Sequence, residues 1–105
     1  MTVRPNISAS DAPTTVENAD VTVVGGAGHV GIPLVLALAE AGLRVNVNDL
    51  NRESLEALQA GRLPFIDHGA ENVLSQALIN RRLVFTHSSD RISGDGPVII
   101  TIGTP

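Results

Sequence analysis

Gly26-Ala27-Gly28-His29-Val30-Gly31 spaces three glycines as G-x-G-x-x-G. The chemistry open to such a run is anion binding by the backbone itself. Val21-Thr22-Val23-Val24 just before it is a β-branched run, the pattern of a buried parallel strand. From Val30 to Ala41 the residues are almost all apolar or small, the pattern of a helix packed on a sheet. Between a strand and a helix, the first glycine permits a tight turn and the second lets the backbone approach a pyrophosphate. The third lets helix and strand pack closely. The helix start then presents free N–H groups and about half a positive charge to the phosphates. The competing role is a glycine turn that merely joins strand to helix. The context favours a dinucleotide.

Asp49 sharpens that expectation. It falls roughly 20 residues past the first glycine, at the tip of a second strand, where an acid accepts hydrogen bonds from the adenosine ribose. The same carboxylate repels a 2′-phosphate, so NAD is expected over NADP. The alternative role for Asp49 is to cap the helix that follows. Arg52 is the one feature arguing for NADP, and it is read as a solvated residue of that helix. His29, inside the loop, is expected to offer its backbone amide and packing, as is Val30. His68 and His87 form no metal-ligand spacing with it. Thr86, Ser88, Ser89 and Asp90 are candidates for the ligand edge of the sheet, and turn chemistry explains them equally well.

The elements that must position these residues follow from periodicity. The first helix, Val30–Ala41, has Pro33 in its first turn and Gly42 just past its end. Residues 43–48 read as the second strand, ending at Asp49. A helix over 52–60 carries Leu55 and Leu58, with Asn51 as cap and Gly61 as terminator. A third helix spans 71–80, with Val73, Leu74, Ala77 and Leu78 on one face. Leu83–Thr86 and Val98–Ile102 supply two more strands. Strands alternating with helices predict right-handed crossovers and an α/β, Rossmann-type parallel sheet. Residues 1–19, rich in Ser, Thr, Asn, Asp and Pro, are expected to be a disordered leader, and 20–105 the dinucleotide-binding domain. A doubly wound sheet usually has two halves. The second half is expected either in a longer enzyme, the preferred view, or in a partner that covers the sheet edge.

Composition narrows the classes further. The 105 residues carry a formal net charge of −4 without a basic stripe, which disfavours nucleic acid and anionic membranes as partners. No apolar run approaches bilayer length and residues 1–19 lack a signal-peptide stretch, so the cytoplasm is the default location. There is no Cys, Tyr or Trp, and only Phe65 and Phe85 are aromatic, so the core must be Val, Leu, Ile and Ala. All seven cationic residues are Arg. Chemistry that needs a thiolate or a Lys amine cannot be completed by these residues.

Three segments go beyond a generic loop: Gly28-His29-Val30-Gly31-Ile32-Pro33, the Leu50–Phe65 stretch with Asn51, Leu58 and Gly61-Arg62-Leu63-Pro64, and the closing Ile102-Gly103-Thr104-Pro105. Over about residues 20–105 the chain resembles the N-terminal part of the UDP-glucose/GDP-mannose dehydrogenase family. The resemblance implies a full enzyme that oxidises the C6 hydroxymethyl group of a nucleotide sugar to a carboxylate, serving polysaccharide biosynthesis. Two NAD molecules would serve in two hydride transfers, through a thiohemiacetal and a thioester on a cysteine. That Cys, with its assisting Lys and Asn, would lie past Pro105, and the full enzyme could be a homodimer. It further implies Gly26, Gly28 and Gly31, with the His29 and Val30 amides, at the pyrophosphate. Asp49 falls at the ribose and Thr104 at the nicotinamide edge and reacting centre. Departures from the family pattern are Ser54 in place of a basic residue, Asp67-His68-Gly69-Ala70 in place of E-P-G-L, and a short, glycine-rich 88–96. They leave the sugar open. Two other functions compete: a stand-alone, non-catalytic dinucleotide-binding module, and a segment of a hydroxyacid or hydroxyacyl dehydrogenase.

Overall fold

Val21–Val24 (β1) and Val45–Asp49 (β2) pair in parallel, Val21 opposite Val45 and Val23 opposite Val47. Leu83–His87 (β3) adds outside β2, and Val98–Ile100 (β4) outside β1, both parallel. The computed structural model describes residues 19–87 and 97–101. Its sheet order is β3-β2-β1-β4. Helix α1 (Gly31–Glu40) crosses from β1 to β2. Helices α2 (Arg52–Gln59) and α3 (His68–Ile79) lie between β2 and β3. This is the expected α/β, Rossmann-type arrangement.

Alternation along the strands divides the sheet into two different faces. Val21, Val23, Val45 and Val47 point to one side and are buried, with Ile32, Val35 and Leu36 of α1 and Leu55, Leu58, Leu74 and Ala77 of α2 and α3. The buried core holds no aromatic residue, as composition required; Phe65 and Phe85 pack at its margin. The opposite face carries Thr22, Asn46, Asn48 and Thr86, all buried. Asn46 Nδ2 donates to Thr22 Oγ1 at 3.3 Å, Thr86 Oγ1 donates to Asn46 Oδ1 at 3.0 Å, and Asn48 Nδ2 donates to Thr86 Oγ1 at 2.9 Å. A polar chain therefore bridges three strands, which reconciles two asparagines with the middle of a parallel sheet. Thr86 lies within β3 and belongs to this polar chain, so neither a ligand edge nor turn chemistry, its two expected roles, describes it. Ser88, Ser89, Asp90 and the stretch 88–96 lie outside the described residues, as does the leader up to residue 18.

The three helices among the described residues end alike. Past each C-cap, one amide bonds back three residues and the next bonds back five: Gly42 to Ala39 and Leu43 to Leu38, Gly61 to Leu58 and Arg62 to Ala57, Arg81 to Leu78 and Arg82 to Ala77. Gly42 and Gly61 take the left-handed conformation this needs, at φ +97 and +81. In α3 the position falls to Arg81, at φ +56. This turn also explains why β2 starts at Val45 and not at Leu43. Leu43 is still closing α1, while the Arg44 amide donates to Asp20 Oδ2. Helix α3 starts three residues before the expected Glu71, because the Asp67 side chain accepts from the Ala70 amide and caps it.

Candidate functional site

The C-terminal ends of β1, β2 and β4 meet at the glycine loop. Gly25 leaves β1 at φ +82, and the Gly25 and Gly26 amides both donate to the Asn48 carbonyl, at 2.7 and 3.0 Å. The Gly28 amide turns back to the Gly25 carbonyl at 3.1 Å, and the Ile32 amide reaches Gly28 O at 2.9 Å. No acceptor among the described residues takes the amides of His29, Val30 or Gly31. These three consecutive N–H groups lie at the start of α1.

That helix start differs from the other two. Asn51 caps α2 through Ser54 N and Asp67 caps α3, and each of these helices has an acid in its first turn. Helix α1 has Val30 at its N-cap position, with no side-chain cap and no acid in its first turn. No residue of its own first turn compensates its partial positive charge, the electrostatic condition for an anion there.

The three motif glycines do different work. A Cβ on Gly31 would collide with the Gly25 carbonyl and the Gly26 Cα, so this glycine lets α1 seat against the loop. A Cβ on Gly26 would press on Val23 O and Val47 Cγ1 at 3.0 Å and on Val35 at 3.2 Å. A Cβ on Gly28 would meet only Gly25 O, at 3.4 Å. The fold does not itself need glycine there, so the space above Gly28 is available to a ligand. The residues fit a dinucleotide pyrophosphate.

Asp49 stands at the tip of β2, half-buried. Its Oδ2 accepts the Ala27 amide at 3.0 Å and its Oδ1 accepts the Asn51 amide at 2.9 Å. The α2 cap is Asn51, so the alternative role for Asp49 does not hold. His29 and Val30 are exposed at the rim of the loop. His87, opposite Asp49 in register, has its Nε2 3.0 Å from the Leu50 carbonyl. Arg52 is exposed on α2. A cleft of about 190 Å³ adjoins the loop, lined by Ala27, Ile32, Ser54, Leu58 and Arg62, so Ser54 and a cationic residue share it. A second cleft of about 260 Å³, lined by Glu40, Asn72, Gln76 and Arg82, lies at the far end of the ten-residue α1, about 15 Å from the loop. Among the described residues no cluster of three His, Asp or Glu could hold a metal, and no helix is long and apolar enough to cross a membrane. Thr104 lies outside the described residues.

Two residues that shape the loop escaped the motif. Gly25 carries the positive φ that Gly26 was expected to supply, and Thr101, after β4, bonds to it. A glycine pair signals the first. Nothing in a β-branched run signals the second.

The chain matches the UDP-glucose/GDP-mannose dehydrogenase family, NAD binding domain, over residues 19–105. A UDP-glucose 6-dehydrogenase of Pseudomonas aeruginosa is 36% identical over 81 residues, 76% of this chain and 18% of that protein. A solved UDP-glucose dehydrogenase from Pyrobaculum islandicum aligns at TM-score 0.58 and 35% identity, over 71% of this chain and 17% of that one. A ternary complex of a Pseudomonas aeruginosa GDP-mannose dehydrogenase aligns at TM-score 0.67 and 23% identity, over 82% and 20%, and speaks for the fold alone. The chain thus spans about a fifth of the length of these relatives. With a parallel sheet, an uncapped glycine-loop helix and this match over all its described residues, the chain belongs to the UDP-glucose/GDP-mannose dehydrogenase family, through that family's NAD-binding domain.

Proposed function

We propose that this chain is the NAD-binding portion of a nucleotide-sugar 6-dehydrogenase, which oxidises a sugar C6 hydroxymethyl group to a carboxylate. The supporting observation is the set of free His29, Val30 and Gly31 amides at the uncapped start of α1, beside the open space over Gly28. In this proposal the Gly26–Gly31 loop holds the pyrophosphate and Asp49 receives the adenosine ribose hydroxyls. NAD, once bound, supplies the hydride-accepting ring. The chain's own part is to bind and orient it, with Thr104 at its reacting edge.

Family membership supports a nucleotide sugar as substrate over a hydroxyacid or hydroxyacyl compound. The full enzyme would then act in the cytoplasm, as a homodimer. A stand-alone, non-catalytic module remains the second reading, because the 105 residues hold neither Cys nor Lys. Whether the reading frame continues past Pro105 to a Cys and a Lys separates the two. Binding itself is tested by calorimetric titration of the purified chain with NAD. Saturable binding that is lost on Gly28→Val supports the site; no binding by the folded chain overturns it.

A further inference from the structure

Thr101 has no part in the cofactor chemistry proposed above, yet it is tied closely to the loop. It follows β4 and is half-buried, and its amide donates to the Val24 carbonyl at 2.9 Å, continuing the strand ladder. Its hydroxyl does more. Oγ1 lies 2.9 Å from the Val24 carbonyl oxygen and 3.1 Å from that of Gly25, with its one proton shared between them.

The Gly25 carbonyl is the pivot of the loop. It accepts the Gly28 amide at 3.1 Å and sits where any Cβ on Gly31 would strike it, directly beneath the start of α1. It also belongs to a Gly–Gly peptide, which has no side chain of its own to fix its plane. Packing under α1 and hydrogen bonds therefore set that plane together. The Gly25 and Gly26 amides are held by Asn48 O on the β2 side, and the Thr101 hydroxyl holds the carbonyl from the β4 side. The fit is close: a Cβ on Gly25 would come within 2.8 Å of the Thr101 carbonyl oxygen.

We propose that Thr101 is a positioning residue for the cofactor, its hydroxyl holding the Gly25–Gly26 peptide so that the loop amides face the pyrophosphate. This rests on the cofactor role proposed for the loop. Thr101 touches no cofactor; it acts through Gly25. Without the hydroxyl the Gly25 carbonyl keeps only the Gly28 amide, and the bound form of the loop must be selected from a wider set.

The test compares Thr101→Val, which keeps the shape, Thr101→Ala, which removes the hydroxyl without bulk, and Thr101→Ser, which keeps the hydroxyl. Each chain is titrated with NAD by calorimetry and with adenosine, which lacks phosphate, by NMR. The Val and Ala variants are expected to bind NAD roughly tenfold more weakly, the scale of one lost hydrogen bond. The Ser variant should stay within about twofold, and adenosine should bind all four chains alike. NAD binding at the original strength in both hydroxyl-free variants overturns the proposal. So does an equal loss for adenosine and NAD, or unfolding of both variants by circular dichroism, since either makes Thr101 a residue of general stability. An unsubstituted chain that binds no NAD overturns the cofactor reading first, and this proposal with it.

Discussion

Asp49 and Ala27 are joined by a 3.0 Å hydrogen bond from the loop amide to Oδ2, while Oδ1 accepts the Asn51 amide at 2.9 Å. One carboxylate thus ties the glycine loop to the turn after β2. Each carboxylate oxygen can accept more than one bond, so ribose hydroxyls can be added without breaking these. NAD is therefore expected to bind more tightly than NADP. Asp49→Ala should narrow that gap by about 1–3 kcal/mol, the scale for removing a charged hydrogen-bond partner. It should also weaken NAD itself, because the Ala27 amide loses its acceptor. Calorimetry with both nucleotides measures this; equal affinities in the unsubstituted chain would remove Asp49 from the ribose.

Gly28 and Gly31 should separate binding from folding. A Cβ at Gly28 meets only one protein atom, at 3.4 Å, whereas one at Gly31 collides with backbone. Gly28→Val should leave the thermal midpoint nearly unchanged and abolish NAD binding. Gly31→Ala should destabilise the fold by about 1–3 kcal/mol through overpacking. Thermal melts without cofactor decide between them. A large loss of stability in the Gly28 variant would make that residue structural.

Arg81 holds a left-handed conformation that the other two helices assign to glycine. Arg81→Gly should relieve the Cβ strain and raise stability by about 0.5–1 kcal/mol, net of the greater freedom of the unfolded chain. Urea denaturation at constant m-value would measure it. A decrease would show that contacts of the Arg81 side chain outweigh the backbone term.

The polar chain across β1, β2 and β3 makes Thr86 its centre, donating to Asn46 and accepting from Asn48. Thr86→Val keeps the volume but strands the fully buried Asn46 Oδ1 without its donor. The expected loss is about 1–3 kcal/mol. An unchanged midpoint in chemical denaturation would mean that the asparagines find other partners.

The 105 residues contain no Cys and no Lys. A Thr hydroxyl without an activating base is a far weaker nucleophile than a thiolate at neutral pH. Incubated with NAD and UDP-glucose or GDP-mannose, the purified chain should form no NADH above the buffer blank. Steady turnover with either sugar would require a mechanism without the covalent steps the family resemblance implies.

Residue types alone determined the loop, its placement between strand and helix, the acid at the tip of β2, and the aliphatic core. Each is a local pattern: glycine spacing, helical and alternating periodicity, and the capping preference of Asn51 and Gly61 leave marks on neighbouring positions. The α3 boundaries were less legible. Asp67 caps without belonging to the apolar period, and Arg81 ends the helix in a conformation that composition assigns to glycine. What only the tertiary structure decided are contacts between residues far apart in the chain. The Thr22–Asn46–Thr86–Asn48 chain joins three strands, and the Asp49 bond to Ala27 and the Thr101 bond to Gly25 tie the loop after β1 to the ends of β2 and β4. A hydrogen bond across a parallel sheet is set by register, and register becomes visible only when the valines of β1 and β2 are packed together under α1.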